Sequence, residues 1–222
     1  MVPIRCRFST FTTRALLTTL LTLASLPVLQ SPPQRVFAQT SGQDVYVVQP
    51  GDSLWKIAVK YQVGLSEIIS ANPQFKNPHL IYPGDKVTVP LLTEVKSIEN
   101  QVVQLVNQER QKRGLPALKN NWELERVARV KSQDMRDNHY FDHTSPTYGD
   151  PFKMIQAFGI SFTAAGENIA AGQTTAQQVM TSWMNSTGHR QNILNSGFTQ
   201  IGVGYARGGQ MGYYWTEEFI HP

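Results

Sequence analysis

The sequence reads GENIA at residues 166–170 and GHRQNIL at residues 188–194, with FDHTSP upstream at residues 141–146. Each segment carries one candidate site residue, and these are His143, Glu167 and His189. Two imidazoles and a carboxylate are the groups from which a divalent-metal site or a general acid/base site is made. Because glycine and polar neighbours surround them, we expect all three side chains to lie in loops that share one cleft.

Residues 1–38 are predicted to be a signal peptide. Arginines precede an apolar stretch at residues 15–29, and Val36-Phe37-Ala38 offers small residues for a peptidase. The apolar stretch is shorter than the roughly 20 residues that a spanning helix needs, although an uncleaved anchor is an alternative. We therefore expect a secreted protein, extracellular or associated with a cell wall, that has no membrane span after cleavage.

Charge and cysteine content narrow the function classes. Residues 39–222 contain 16 basic and 16 acidic residues, so the basic excess of the whole chain comes from the predicted signal peptide. A balanced charge gives no basic face for nucleic acid, and we expect no nucleic-acid partner. Cys6 is the chain's one cysteine, so the exported part must be stabilised by packing rather than by disulfides.

The exported part divides into a flexible N-terminus at 39–44, a first unit at 45–90, a linker at 91–94 and a second unit at 95–222. In the first unit, a β-branched strand is followed by two short helices and a closing strand. The predicted elements are a strand at 45–48, a helix capped by Ser53 and running to Tyr61, a helix at 65–71 and a strand at 86–89.

This βααβ unit closely resembles the LysM domain. The residues that carry the resemblance are YVVQPGDSLWKIA at 46–58, NP at 72–73 and LIYPGDK at 80–86. The resemblance implies binding to a glycan that contains N-acetylglucosamine, such as peptidoglycan or a chitin-like polymer. It places the groove at two loops, which contribute Gly51, Asp52, Ser53 and Leu54, and Leu80, Ile81, Tyr82 and Pro83.

Each of these LysM residues also has a structural interpretation. Asp52 and Ser53 are good helix caps, and Pro83 suits a turn. In the binding interpretation, Leu54 and Ile81 cover the methyl of an acetamido group. For Trp55 we favour packing in the core over a platform for a sugar.

The second unit shows helices first and strands last. Helical spacing runs from Val95 to Gly114, and Asn120 or Asn121 caps the next helix. Residues 161–171 resemble a strand that Gly166 interrupts. Further predictions are a helix at 152–158, a helix from Thr174 or Thr175, and a hairpin of strands at 201–206 and 212–216. This α+β order favours a sandwich around a largely antiparallel sheet.

The second unit resembles the CAP superfamily, especially its bacterial SCP-like branch. The matching segments are VNQER at 106–110, GLPAL at 114–118, YFDHTSP at 140–146, GENIA at 166–170, WMNSTGHRQNIL at 183–194 and GVGY at 202–205. The resemblance implies a three-layer α-β-α sandwich. It also implies a central cleft in which two histidines can bind a divalent ion such as zinc.

His143, Glu167 and His189 match three of the four ionisable groups of the eukaryotic family cleft. The second glutamate of that set is replaced here by Ser186, and Glu217 or Glu218 would substitute only if one pointed into the cleft. In the metal interpretation, His143 and His189 hold the ion and Glu167 orients a water.

Three alternatives to this site stay open. Ser145 or Ser186 is a candidate nucleophile beside a histidine. His139 is a rival to His143, whereas His79 and His221 are expected at the surface. Arg110, Arg190 and Asn192 are expected to tie loops to backbone groups rather than to bind a ligand.

Two functions follow from the sequence. The favoured one is a secreted, wall-associated protein that binds peptidoglycan through LysM and presents a CAP cleft without turnover. The other is a metal-dependent hydrolase that the same LysM domain tethers, with His143, Glu167 and His189 as its catalytic residues.

Overall fold

The computed structural model describes residues 42–222. The predicted signal peptide at 1–38 and residues 39–41 lie outside the described residues. Within residues 42–222, none of the helices combines the length and the apolar character needed to cross a bilayer.

The first unit has the predicted order of elements. Strand β1 (Gly42–Val47) is followed by α1 (Leu54–Tyr61), α2 (Leu65–Ala71) and β2 (Lys86–Leu91), and the two strands pair antiparallel. Ser53 caps α1, because its Oγ accepts a hydrogen bond from the Lys56 N–H at 3.2 Å. An apolar core joins the elements and contains Val48, Leu54, Ile57, Ala58, Val63, Ile68, Val87 and Val89.

One buried amide fastens α2 to β2. The Asn72 Nδ2 donates to the carbonyl oxygens of Ile68 and Thr88, each at 2.7 Å, and the Asn72 Oδ1 accepts from the Thr88 N–H at 2.8 Å. The residue that ends α2 in the sequence therefore also satisfies backbone groups of the closing strand.

Both short connecting segments are more ordered than the sequence predicted. Residues 42–44 belong to β1, so this part of the expected flexible N-terminus is a strand. Strand β2 reaches Leu91 and α3 begins at Thr93, which leaves Leu92 alone between them. The predicted linker at 91–94 therefore consists of the last residue of β2, Leu92 and the first residues of α3.

The second unit contains the remaining elements. They are α3 (Thr93–Gln111), β3 (Lys119–Asn120), α4 (Trp122–Asp137), α5 (Pro151–Ala157), β4 (Ala164–Ala171), α6 (Ala176–Asn185), α7 (Thr187–Ile193), β5 (Gln200–Arg207) and β6 (Tyr213–His221). The sheet order is β3-β5-β6-β4, in which β3 and β5 are parallel and the other two pairs are antiparallel.

Helices cover both faces of this sheet. Side chains of α3, α6 and α7 pack with Val203, Trp215 and Phe219 on one face. Side chains of α4 and α5 pack with Ile220 on the other face. The three-layer α-β-α sandwich is therefore confirmed.

Two glycines let α4 lie directly on the sheet. A Cβ at Gly202 would overlap the backbone of Leu124 and Glu125, and a Cβ at Gly204 would overlap the backbone of Ala128 and Arg129. The glycines thus set the close approach of α4 to β5, which is the pair of elements that supports the floor of the cleft.

A buried ion cluster closes the free edge of β5 beyond the short strand β3. Arg129 pairs with both oxygens of Glu99 and with Glu125, whose Oε1 lies 2.5 Å from the guanidinium. The Glu99 Oε1 also accepts the Tyr205 N–H at 3.0 Å. A carboxylate therefore satisfies an edge-strand donor that has no neighbouring strand.

Candidate functional site

The loop that carries His143 is fixed by one carboxylate. Asp134 lies near the end of α4 and accepts four hydrogen bonds, from the Tyr140 hydroxyl, the Ser145 and Thr147 hydroxyls and the Asn138 amide, at 2.6 to 2.7 Å. Burial opposes ionisation, but these donors hold the pKa of Asp134 below its usual value. The loop is thereby held in place before any ligand arrives.

Lys131 supports the same loop from below. Its side chain is buried, and its Nζ donates to the His143 carbonyl oxygen at 2.6 Å. Burial lowers the pKa of Lys131, while the nearby carboxylates of Glu167, Glu218 and Asp134 oppose that shift. This lysine was not predicted from the sequence, because its position on a charged helix resembles an ordinary exposed residue.

Glu167 and His143 are in direct contact. Their Oε1 and Nδ1 atoms lie 2.6 Å apart, with the Glu167 side chain 2% exposed and the His143 side chain 52% exposed. The hydrogen bond to Glu167 raises the pKa of His143. A buried carboxylate thus orients an imidazole whose other nitrogen remains free to act toward solvent.

Neither Glu167 nor His189 lies in a loop, so the expectation of three loop residues is wrong for these two. Strand β4 runs through Gly166 and places Glu167 in the sheet, and α7 contains His189. Gly166 suits tight packing, since an added Cβ would lie 3.0 Å from the Phe198 ring and 3.2 Å from Asn192 Oδ1, and these side chains would have to shift to accept it.

Two asparagines bring His189 to β4. The Asn192 Nδ2 donates to the Glu167 carbonyl oxygen at 3.1 Å and to Asn168 Oδ1 at 2.9 Å. The Asn168 Nδ2 in turn donates to the His189 carbonyl oxygen at 3.1 Å. Burial, together with the positive charge that His143 can carry, lowers the pKa of His189. The two imidazoles therefore favour different protonation states.

A second glutamate lies behind Glu167. Glu218 on β6 stands directly opposite Glu167 across the strand pair and is fully buried. Burial and the Glu167 charge raise the pKa of Glu218 well above its usual value. None of the described donors reaches either Glu218 oxygen. The raised pKa favours the protonated form, which is able to donate toward the Glu167 carboxylate opposite it.

Glu217 precedes Glu218 on β6, so its side chain lies on the other face of the sheet from Glu218 and Glu167. Its Oε2 accepts from the Asn168 Nδ2 at 2.9 Å, and burial raises its pKa to about 8. Neither Glu217 nor Glu218 lines the cleft. The idea that one of them replaces the missing fourth group is therefore wrong: Glu218 acts on the site only through Glu167.

The cleft itself is an open hollow of about 440 Å³. His143, Ser186 and His189 line it, together with Phe141 and Trp183. The structure thus brings the predicted histidines to one hollow, with Glu167 beneath them and Ser186 at the N-terminus of α7.

Hydrogen bonding and exposure decide the remaining alternatives except Ser186, which lines the hollow with His189 and stays a candidate nucleophile. Ser145 is buried, donates to Asp134 and accepts from the Thr147 and Tyr148 N–H groups, so it is a loop support and not a nucleophile. His139 follows the end of α4 and is exposed, as are His79 and His221. The other expected supports bond to backbone oxygens: Arg110 to Pro116, Ile193 and Asn195, and Arg190 to Met184.

The donors fit a two-histidine metal site and no more. Among residues 42–222, no group of three or more His, Cys, Asp or Glu side chains could hold an ion together. His143 and His189 supply two imidazoles, one fewer than the three protein ligands of catalytic zinc sites. The metal stays a prediction that rests on these two side chains.

The LysM loops present their predicted residues unequally. Tyr82 is 60% exposed, and Leu80, Pro83 and Gly51 are also exposed. Asp52 accepts from the Tyr46 hydroxyl at 2.7 Å and from the Gln49 N–H at 2.8 Å, so it supports the loop. Both donors lower the pKa of Asp52.

Two predictions about LysM apolar residues are wrong. Leu54 is 2% exposed and belongs to the core, so it cannot cover a ligand methyl, whereas Ile81 is half-buried against that core. Trp55 is 50% exposed and does not pack inside, because the inward positions of α1 are filled by Leu54, Ile57 and Ala58. The exposed apolar surface of the unit therefore includes two aromatic rings, Trp55 and Tyr82, together with Leu80 and three valines at 45, 47 and 59.

Together these features define a two-domain α+β protein, with a small βααβ unit before a three-layer sandwich whose cleft holds two histidines over a buried glutamate. A model of the LysM domain matches residues 46–90, and a model of the CAP family, the cysteine-rich secretory protein family, matches residues 103–219. The second match covers more than half of the chain. The chain belongs to the CAP family and carries a LysM domain ahead of the CAP domain, which confirms both resemblances.

Individual relatives agree with this assignment. The uncharacterized protein YkwD of Bacillus subtilis (strain 168) is 56% identical over 128 residues, which are 58% of this chain and 49% of that protein. The probable autolysin LDP of Staphylococcus aureus (strain NCTC 8325 / PS 47) is 36% identical over 75 residues, 34% of this chain and 26% of that protein.

A solved structure shows the same sandwich. An extracellular protein containing an SCP domain from Bacillus anthracis str. Ames is 38% identical with a TM-score of 0.52, over 63% of this chain and 47% of that one. The chain thus spans less than half the length of each of these three proteins.

Proposed function

We propose that this chain is exported and associates with a cell wall, where its LysM domain binds a glycan that contains N-acetylglucosamine and its CAP domain presents the histidine cleft. The observation that carries the proposal is the LysM match over residues 46–90. Export is supported by the signal-peptide pattern at residues 1–38 and by the extracellular SCP-domain relative.

The LysM surface suits this role. Leu80 and Tyr82 expose apolar surface on one loop, and Gly51 adopts a φ of 84° in the other loop. Exposed apolar side chains of this kind can pack against the face of a sugar.

A sedimentation assay tests the proposal. The chain expressed without residues 1–38 is mixed with insoluble peptidoglycan, and we expect it in the pellet. Tyr82→Ala should shift protein to the supernatant, since it removes an exposed aromatic ring. Phe152→Ala is the matched control, because it removes an exposed ring from α5 in the CAP domain. Recovery of the unmodified chain entirely in the supernatant would sink the proposal.

A second candidate function is hydrolysis at the CAP cleft. The observation that favours it is the 2.6 Å contact between Glu167 and His143, which holds an imidazole ready to accept a proton. A divalent ion such as zinc, held by His143 and His189, would supply an acidified water with a pKa near 7. LysM binding would keep such an enzyme at its substrate.

The hydrolase candidate is tested on isolated wall material. We expect release of soluble fragments by the unmodified chain, and its loss in His189→Ala and Glu167→Gln. Zinc binding, measured by calorimetry, should disappear in His189→Ala and persist in His221→Ala, an exposed histidine outside the cleft. Fragment release by His189→Ala at the unmodified rate would exclude this mechanism.

A further inference from the structure

The CAP cleft does not end at the two histidines. Gln173 and Ser182 line the histidine hollow and also line a second hollow of about 500 Å³. That second hollow continues along α6 past Gln177 and Thr181. We name the joined surface, from Phe141 to Gln177, the α6 groove. Because the two hollows share side chains, a single extended ligand can occupy both.

The side chains that line the second hollow carry amide and hydroxyl groups but no charge. Its residues are Gly172, Gln173, Gln177, Gln178, Thr181 and Ser182. Amides and hydroxyls offer both donors and acceptors, whereas carboxylates and phosphates are recognised by arginine and lysine. The chemistry therefore favours a neutral ligand rich in hydroxyl and amide groups.

Gln173 presents an acceptor that lacks a donor. Its Oε1 is buried and receives no hydrogen bond from the described residues, and its Nε2 reaches the Ser182 Oγ at 3.5 Å. The residue is held in place through its backbone, since its carbonyl oxygen accepts from the Trp215 Nε1 at 2.8 Å. A buried acceptor without a partner is costly, so a ligand N–H or O–H at this position would be stabilised.

An exposed aromatic ring completes the set. Phe141 is 43% exposed and lines the histidine hollow. Aromatic rings pack against the apolar C–H face of a sugar, while nearby amides fix its orientation. An exposed ring and one unpaired amide oxygen, Gln173 Oε1, are the two groups that such a ligand needs.

We propose that the α6 groove is a second glycan site, which binds an uncharged N-acetylated sugar strand independently of the LysM loops. Phe141 contacts one sugar face, Gln173 accepts from an acetamido N–H, and the strand passes His143 and His189. Two sites on one chain would then bind the same polymer, which raises the overall affinity when both can engage.

The four tryptophans make this testable in the intact chain. Trp55 belongs to the LysM domain, Trp183 lines the groove, and the Trp215 indole bonds to Gln173. Trp122 at the start of α4 is an internal reference. The indole N–H signals are followed by NMR, after assignment by Trp→Phe variants, while the neutral N-acetylglucosamine tetramer is added to the chain lacking residues 1–38.

We expect the Trp183 and Trp215 signals to move and saturate while Trp122 stays fixed. Gln173→Ala should weaken that response about 5-fold, the loss of about one hydrogen bond. Ser182→Tyr should abolish the response by filling the groove from an exposed position on α6. Gln191→Ala, at an exposed glutamine on α7, is the matched control and should leave it unchanged.

Three outcomes would overturn the proposal, and a fourth would support it while contradicting LysM binding. Movement of Trp55 alone would leave LysM binding intact and exclude the groove. A groove response that survives both Gln173→Ala and Ser182→Tyr would exclude the assigned residues. A response to a charged wall-type peptide but not to the tetramer would replace the glycan with a peptide. Movement of Trp183 and Trp215 without Trp55 would support the groove and contradict LysM binding.

Discussion

Beneath the LysM loops lie Val48, Leu54 and Ile57, whereas beneath the CAP cleft lie Lys131, Glu167 and Glu218. Of the buried polar side chains in residues 42–222, Asn72 alone belongs to the LysM unit, and the charged ones all belong to the CAP unit. Because the LysM loops rest on apolar side chains, the packing beneath them does not change with protonation. A base of titratable groups makes the cleft and its stability depend on pH.

The contrast predicts its largest effect at Arg129. Arg129→Ala leaves the buried carboxylates of Glu99 and Glu125 without their cation, so the free energy of unfolding should fall by about 3–5 kcal/mol. Urea unfolding of the chain lacking residues 1–38 measures it. The matched control is Arg113→Ala, whose ion pair with Glu109 is exposed and should change stability by about 0–1 kcal/mol. Equal effects would mean that the buried cluster does not stabilise the CAP unit.

A pH-dependent effect is expected at Glu217. Its pKa is raised from 4.5 to about 8, so the folded chain keeps a proton that the unfolded chain releases between those values. Stability should therefore fall as the pH rises through this window, and Glu217→Gln should reduce the fall by about 3 kcal/mol.

The measurement for Glu217 is urea unfolding at about pH 5, 6.5 and 8. Glu123→Gln, at an exposed position in the first turn of α4, serves as control and should keep the unmodified slope. If Glu217→Gln also kept that slope, burial would not hold the proton on this carboxyl.

In the LysM unit we expect a mutation of the buried polar side chain to cost less stability than Arg129→Ala, and the cost should not depend on pH. Asn72→Ala removes the partner of the Thr88 N–H, which should cost about 1–3 kcal/mol. Amide exchange of the β1–β2 hydrogen bonds reports this locally, with the CAP strands as an internal reference. Asn100→Ala changes an exposed asparagine and should leave exchange unaltered. Faster exchange in the CAP strands of Asn72→Ala would contradict the separation of the two units.

The most local effect concerns the charge of His143. Because Glu167 raises the pKa of His143, Glu167→Gln should lower that pKa. The contact with protonated His143 stabilises the folded chain fully at pH values below the pKa of His143 in the unfolded chain. This stabilisation is lost as the pH rises through the higher pKa of His143 in the folded chain. An NMR titration of the imidazole follows the shift, and His79 provides an exposed histidine for reference. An unchanged His143 curve would mean that the Glu167 contact is not formed in solution.

The sequence predicted local elements well where one residue has one role. Ser53 caps α1 and Asn121 caps α4 as expected, and α2 has its predicted bounds. The prediction that Gly166 interrupts the strand failed. A glycine in a sequence can mark a turn, or it can mark a position in a strand where a Cβ would crowd a neighbour. Only the contact with Phe198 separates these meanings, and it joins residues far apart in sequence.

The buried charges were missed for a related reason. Glu218 follows an aromatic strand and resembles its polar end, yet β6 continues to His221. Its burial depends on its register opposite Glu167 and on the α4 layer above it, neither of which leaves a periodic signal in β6 itself. The sequence thus identified the three groups that face the cleft but not the layer of ionisable groups that supports them.

Gly202 and Gly204 have a consequence for how this cleft can vary. Helix α4 rests on these two glycines and bears Lys131 and Asp134, which hold the His143 loop. The absence of a Cβ at both glycines therefore helps to set the position of that loop. An added Cβ at either position would overlap the backbone of α4, so α4 would have to shift on the sheet, and with it the two side chains that hold the His143 loop. The placement of His143 therefore depends on two glycines in β5, a strand that contributes no side chain to the cleft.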